Sequence, residues 1–548
     1  IISPGVFTNE IDQSFLPSAI ADIGAAIIGP TIKGPAGVPT VVTSYSDFQN
    51  KFGDVHTSGS TAFQFLTSHA AQSYLQHSNL LTVVRILDGT FSGATATISS
   101  SENPSSASFT LTTLSDGSIT NNASATTGTN SILVSGSKHN IRYEISNVNN
   151  SKGTFTVAIR AGNDNIKRKQ TLETFTNITL DPNSNNYIGK AIGTQVTTIG
   201  TDENSNPFTK LDGDYPRKSK YVRVSNITNI IDYLDENGTV RVNSASGSLP
   251  AAGSGSSNGG FSGGADGFSG FDSLGNHTGT KTGVVPANFY ENIASTNTQG
   301  FDPTTADEGQ TAYLQALNLL KNQDEYDINL ILTPGIISSI HGVIASKVID
   351  VCEDRTDCFA IVDPVVYDSN VIDATTEAEA RDSNYAAVYW PWVKVPDTSL
   401  GVQRWVPPST VLGGIYAFND KVAHPWFAPA GLNRGGIDVA IQAERKLTQA
   451  DRDTLYDSNV NPIATFPGQG VTVFGQKTLQ KKSSALDRIN VRRLLIKVKK
   501  FIASSSRFLV FEQNTAQTRG RFLAIANPFL DNVQSQSGLS AFRVVMDD

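Results

Sequence analysis

The chain has 548 residues, of which 39% are hydrophobic and 17% charged, with a formal net charge of −8. At about 150 residues per domain this is material for three or four domains, and so few charges exclude a coiled coil and bulk disorder. No apolar run approaches the roughly 18 residues that cross a bilayer as a helix.

The abundance of glycine (46 residues), together with Ser, Thr and Asn, favours β-rich structure with many turns. Two cysteines, Cys352 and Cys358, make no disulfide framework and fit a reducing compartment. The chain opens on Ile1, and no signal-peptide pattern follows it.

Residues 20–87 mix short apolar runs with a helix-like stretch at 60–76, where Phe63, Leu66, Ala70 and Tyr74 recur at helical spacing. Between 89 and 299 the composition shifts to Thr, Ser and Asn with alternating apolar residues, as in Phe109-Thr-Leu-Thr and Phe155-Thr-Val-Ala-Ile, which predicts a β-rich insertion. Residues 251–270 are mostly Gly and Ser and read as a linker closing it. Beyond it, apolar strands at 328–332 and 358–362 flank a helix at 336–351, a strand-helix-strand unit that implies a parallel pair. The expected fold is therefore α/β and α+β, multidomain. Residues 21–88 and 300–425 form one discontinuous α/β domain around the insertion, and 426–548 form a final α/β unit.

Gly470-Val-Thr-Val-Phe-Gly475-Gln-Lys477-Thr478 has the outline of a phosphate loop, but Gln476 breaks the Gly-Lys step and the interior is strand-forming. A β-strand between two glycine turns is the better reading. The seven histidines show no metal-ligand spacing, and the cysteines form no Cys-x-x-Cys pair, so no metal or cofactor is expected. Cys358 reads as core packing, and Asp350, Glu353, Asp354 and Asp357 as a solvated helix end.

Residues 477–521 carry 12 Lys and Arg against 2 Asp and Glu, a local charge of +10 that leaves −18 for the other residues. On a helix, Val491, Leu494, Leu495, Val498, Phe501 and Ile502 share a core-facing stripe, and Arg492, Arg493, Lys497, Lys499 and Lys500 fall opposite, with Ile496 among them. Two readings stay open: a solvated basic face, or a face that docks on an acidic partner. Nucleic acid is disfavoured by the overall negative charge.

Several motifs follow one another in a telling order: Ala430-Gly-Leu-Asn-Arg-Gly435, Asp451-Arg-Asp-Thr-Leu-Tyr456 with Asn461-Pro462, Gly475-Gln-Lys-Thr478, Asp487-Arg-Ile-Asn-Val-Arg-Arg493 and Phe511-Glu-Gln-Asn514. With Ser3-Pro4-Gly5-Val6, Gly263-Gly-Ala-Asp-Gly267 and Phe542-Arg-Val-Val545, this order resembles the tail sheath proteins of contractile, T-even-like bacteriophages. The resemblance covers roughly the first 90 residues and 260–548. It marks Asn433, Arg434, Gly435, Asp487, Arg488, Asn490, Glu512 and Asn514 as family positions.

The resemblance implies a non-enzymatic structural subunit of the virion tail, assembled in the host bacterial cytoplasm. Such subunits stack as six-membered rings wound helically around a tube, with tail tube, baseplate and terminator proteins as partners. It implies no nucleic-acid or membrane partner. It makes the final unit tube-facing, with Arg492, Arg493, Ile496, Lys497, Lys499 and Lys500 as contacts. Segment 1–20 becomes an arm packing with that unit, and Ser3, Pro4, Gly5 and Val6 become inter-subunit contacts. A C-terminal arm is expected to be missing after Asp548, so that the chain would assemble poorly. A related bacteriocin particle or type VI secretion sheath would fit the same features. From other classes, the competing readings are a nucleotide-binding enzyme using residues 470–478 and a nucleic-acid binder using the basic helix.

Overall fold

The computed structural model describes residues 24–58, 61–101, 103–122, 132–204, 206–230, 237, 248–267, 292–294, 299, 303–304 and 309–546. Its frame is an eight-stranded sheet in the order Thr40–Val42, Leu81–Arg85, Gly24–Gly29, Ile328–Ile337, Phe359–Asp363, Ala386–Trp390, Val460–Phe466, Gly470–Val473. The six inner strands run parallel and the two outer ones antiparallel. Strands such as Gly-Ala-Ala-Ile-Ile-Gly and Phe-Ala-Ile-Val-Asp are buried at every residue, as parallel strands covered on both faces must be.

Alternate side chains feed two cores. Ala25, Ile27, Phe359 and Ile361 point to one face, under helices Leu66–Leu75 and Ser409–Val422. Ala26, Ile28, Ala360 and Val362 point to the other, under Gln310–Leu320 and Gly342–Arg355. The expected strand-helix-strand unit is present, but its first strand runs on to Ile337, and the helix starts only at Gly342. Likewise the helix expected over 60–76 is confined to Leu66–Leu75, behind a short strand Thr61–Phe63.

A separate α/β unit from residue 426 was the expectation, yet Val460–Phe466 pairs in parallel with Ala386–Trp390 and continues the same sheet. Ile463, Val473, Ile489 and Ile496 lie in the same core as Ala25 and Leu332. The physical reason is that Val460–Phe466 is itself apolar on both faces and would otherwise leave one of them exposed. The Phe542-Arg-Val-Val545 segment has no regular structure within this chain.

The Thr- and Ser-rich region has its own core, in which a four-stranded sheet containing Phe91–Ser99 and Ala107–Asp116 faces a three-stranded sheet of Ile141–Asn149, Thr154–Ala161 and Thr171–Thr179. Phe109 and Phe155 stack across it at 5.6 Å. The Gly- and Ser-rich stretch, expected as a linker, is bound to this region over its described part, up to residue 267. Ser254 and Gly259 carbonyls accept from the Ile145 and Tyr143 amides, Phe261 is fully buried, and Ser257 accepts from Arg142. Small residues suit the role, because the strap passes too close to Tyr143 for larger ones: a Cβ on Gly259 would lie 2.0 Å from the Tyr143 carbonyl oxygen.

Where the strap ends, the two regions meet on Arg85, which is fully buried. Its guanidinium donates to the Gly34 and Asp116 carbonyls at 2.7 Å each and to the Thr31 carbonyl at 3.2 Å, tying the end of strand Leu81–Arg85 to the first hairpin of the insertion.

A second joint places His139 of the insertion against the loop after helix Tyr45–Phe52, with Nε2 2.9 Å from the Val55 carbonyl oxygen. Burial, then Lys33, His56 and Lys138, pull the His139 imidazole down to about 3. Asp54, which takes an ion pair from Lys138 at 3.4 Å, is the acidic group at this joint. A histidine neutral in the fold but protonated in the unfolded chain contributes stability that is complete above pH 6.5 and lost as pH falls toward 3. Relative to His139→Gln, the wild type should therefore lose roughly 2 kcal/mol between pH 8 and pH 5, measured by urea unfolding at each pH. A constant difference would remove this joint from the acid response.

Candidate functional site

Helix Ile489–Ser506 carries the basic cluster, and its orientation differs from expectation. Ile489, Arg492, Arg493, Ile496 and Lys500 are buried, at spacings that put them on one side of the helix, against the sheet. Arg492 lies over the Tyr385 ring at 4.1 Å and donates to its hydroxyl at 3.0 Å. Arg493 lies over Tyr416 at 4.7 Å and pairs with Asp420 at 2.6 Å. Lys500 reaches Asp327 at 2.6 Å, Asp357 at 3.3 Å and the Ile328 carbonyl at 2.5 Å.

These three cations and Ile496 are thus committed inside the chain, where an exposed docking face was the expectation. Their long stems pack as apolar matter while their heads find acceptors and ring faces. Ile496 was the one apolar residue on the basic arc, and by itself it did not decide which arc turned inward.

The apolar stripe is covered from the other side. Leu494 and Val498 join Trp426 and Val533, and Phe501 stacks on Phe529 at 3.7 Å, so the C-terminal helix Ala516–Ser535 closes over it. Of the six expected contacts, Lys499 is exposed and Lys497 half-buried.

Next to them the connection between the two helices projects Phe508, Val510 and Phe511, which are 63%, 58% and 104% exposed. Phe511 adopts a left-handed backbone (φ 71°), a costly conformation for a bulky side chain. Lys481 and Lys482 before helix Ile489–Ser506, Arg507 just after it and Arg521 on helix Ala516–Ser535 are also exposed. The apolar tip was not legible in the residue pattern, because Phe508-Leu-Val-Phe511 is as apolar as a buried segment.

The family positions divide into scaffold and surface. Gly435 sits where a Cβ would meet Ala430 Cα at 2.6 Å, and its carbonyl accepts from the Val473 amide at 2.8 Å, so the 431–437 loop covers the edge strand Gly470–Val473. Arg434 lies over Phe427 at 5.1 Å. Asp487 accepts through its carbonyl from Thr478, and Arg488 bonds the Tyr456 hydroxyl. Asn490 donates to the Trp426 carbonyl at 3.4 Å. Asn433, Glu512 and Asn514 are exposed.

Asn461, fully buried, accepts from the Lys477 amide at 2.6 Å and donates to the Lys477 carbonyl at 2.8 Å and the Val388 carbonyl at 3.1 Å. It shapes the Gly475-Gln-Lys turn. Residues 470–473 form the edge strand, and the Lys477 ammonium bonds the Tyr456 carbonyl at 2.8 Å, leaving no phosphate-loop geometry there. Ser3, Pro4, Gly5 and Val6 lie outside the described residues. Among the described residues no group of three or more His, Cys, Asp or Glu could hold a metal ion, and no helix is long and apolar enough to cross a membrane.

One buried carboxyl stands out. Burial raises Asp363 to about 7, opposed by the hydroxyl and amide of Ser409, which donate to it at 2.5 and 2.9 Å. The pair anchors the start of helix Ser409–Val422 to the end of a central strand.

Residues 309–479 match the family model of the phage tail sheath protein central domain. The tail sheath protein of Vibrio phage KVP40 is 38% identical over 195 residues, 36% of this chain and 27% of that protein. The tail sheath protein of Enterobacteria phage T4 is 35% identical over 181 residues, 33% of this chain and 26% of that protein. The match thus spans about a quarter of these curated relatives. The crystal structure of a sheath tail protein from Listeria innocua covers 96% of this chain and 88% of its own, with a TM-score of 0.55 at 11% identity, a likeness of fold.

The inward cations and the exposed one should separate cleanly under mutation. Arg493→Ala strands Asp420 and should cost about 2 to 3 kcal/mol in urea unfolding. Lys499→Ala should change stability by less than about 0.5 kcal/mol. Equal effects would contradict the assigned burial.

Proposed function

We propose, from the region at 309–479 that belongs to the phage tail sheath family, that the chain is a structural subunit of a contractile tail sheath in the virion tail. The observation that carries this is the 38% and 35% identity to tail sheath proteins of two phages, falling on a chain whose fold is also that of a sheath tail protein. In this reading the subunits stack as six-membered helical rings on a tail tube, assemble in the host cytoplasm, and meet baseplate and terminator proteins at the ends. Identical heterologous contacts that do not close generate such a helix. Contraction then exchanges one packing of the same subunits for another without nucleotide hydrolysis.

The tube-facing surface in this proposal is the C-terminal helical hairpin, with Lys497, Lys499 and the Phe508, Val510 and Phe511 tip in place of the buried arginines. Exposed ion pairs contribute about 0 to 1 kcal/mol each, enough to hold register when repeated and weak enough to release together. Segment 1–20, with Ser3 to Val6, remains in this proposal an arm to a neighbouring subunit, adding main-chain hydrogen bonds across the interface.

The full-length protein should polymerise with its tube protein into sleeves visible by negative-stain electron microscopy. Lys497→Glu with Lys499→Glu should reduce the fraction of decorated tubes severalfold while leaving the melting temperature within a few degrees. Unchanged decoration would remove the docking role from this hairpin, and failure of the wild type to form sleeves would remove the sheath reading itself.

A further inference from the structure

Helix Gly342–Arg355 ends at Thr356, whose left-handed backbone (φ 59°) turns the chain back so that its amide donates to the Cys352 carbonyl at 2.9 Å. The next turn brings Cys358 under the helix, with its sulfur 3.4 Å from that of Cys352. Both thiols are fully buried, and both are free. Neither sulfur is placed there by chance packing of a loose loop. Arg355, itself 1% exposed, holds the turn by donating to Asp357 at 2.9 and 3.0 Å, to the Tyr326 carbonyl at 2.8 Å and to the Leu320 carbonyl.

We infer that Cys352 and Cys358 form an oxidisable pair that closes into an intramolecular disulfide, stapling the end of helix Gly342–Arg355 to the start of the central strand Phe359–Asp363 without unfolding the chain. A disulfide sulfur pair lies about 2.0 Å apart, so closure from 3.4 Å asks each sulfur to move by about 0.7 Å. Side-chain rotation about the two Cα–Cβ bonds supplies movement of that size.

The oxidant class is a small, neutral peroxide, which enters a packed core where a bulky disulfide reagent cannot. One sulfur, as its thiolate, attacks a peroxide oxygen. The O–O bond breaks, hydroxide leaves and takes up a proton, and the sulfur becomes a sulfenic acid. The second sulfur then attacks the first, the S–O bond breaks, and the departing hydroxide leaves as water with the proton of the second thiol. Two thiols and one peroxide thus give one disulfide and two waters. Burial raises the Cys352 thiol well above its usual range, which makes the first step slow and keeps the pair reduced under brief exposure. The staple bridges the helix and the strand through a short ring, so its stabilisation is modest.

The test uses the full reduced chain, freed of reductant and held folded in graded hydrogen peroxide, then denatured in excess N-ethylmaleimide for intact mass. The expected product has lost two hydrogen masses, takes up no maleimide and melts a few degrees higher, reversibly with dithiothreitol. Trypsin cleaves at Arg355 between the cysteines, so peptides 348–355 and 356–381 should remain joined until reduced. Cys358→Ser should give no joined pair and take one maleimide. Retention of both thiols, sulfinic or sulfonic adducts, or links between chains would each overturn the proposal.

Discussion

The pairing of strand Gly24–Gly29 with strand Ile328–Ile337 constrains everything else in this chain. The two lie side by side and parallel, Ala26 opposite Ile331 and Ile27 opposite Leu332, although about three hundred residues separate them. A parallel neighbour always requires a crossover, and here the crossover has grown into a region with a hydrophobic core of its own. The core sheet must therefore close around an excursion that leaves from Leu81–Arg85 and returns at Ile328–Ile337, the strands on either side of Gly24–Gly29. Arg85 and Asp266, buried at that crossing and 4.0 Å apart, show how it is held: one guanidinium satisfies carbonyls from the body and from the insertion at once. A cation buried there is tolerated because its head is met by the Thr31 and Gly34 carbonyls of the loop after Gly24–Gly29, by the Asp116 carbonyl and by the Asp266 carboxylate.

Much of this was legible from residue pattern alone. Unbroken apolar runs such as Phe359-Ala-Ile-Val362 identify themselves as parallel strands, and the alternating Thr-rich runs identify the insertion, because burial on two faces and on one face leave different periodicities. The boundary at 426 was not legible. Composition changes little there, and whether a strand such as Val460–Phe466 starts a new sheet or extends an old one depends on pairing, which no local pattern encodes. The Gly- and Ser-rich strap misleads for a related reason: its entropy cost is offset by contacts to Tyr143, Ile145 and two buried arginines that lie more than ninety residues away.

The site was legible as a location and not as an orientation. A helix with an apolar arc and a basic arc conventionally turns the apolar arc inward, but Ile489–Ser506 is covered on both. Arginine over tyrosine competes well with leucine for a place on a sheet when the partner ring and an acid are already positioned, as Tyr416 and Asp420 are on the neighbouring helix. The large local positive charge is accordingly divided. Part is neutralised internally by Asp327, Asp357 and Asp420, and part is left on the surface at Lys481, Lys482, Lys499 and Arg521. Net charge per segment cannot distinguish these two fates, since both leave the same count.

In the proposed role this division has a mechanical sense. A subunit that is to be moved as a body between two lattices needs interior contacts that do not yield and peripheral contacts that do. A parallel sheet buried on both faces, with the C-terminal half threaded back through Val460–Phe466 and pinned by Asn461, resists shear because no strand can slip by one residue without forcing side chains fitted to one core into the other. The second helix of the C-terminal hairpin, Ala516–Ser535, is attached by a thinner layer, with Trp426, Leu494 and Val533 as its buried cluster, and the connection leading into it carries Phe511, the most exposed of the large apolar residues among the described residues. Strength concentrated in the sheet and compliance concentrated at the C-terminal hairpin place the yielding element at the surface proposed to grip the tube and let it go.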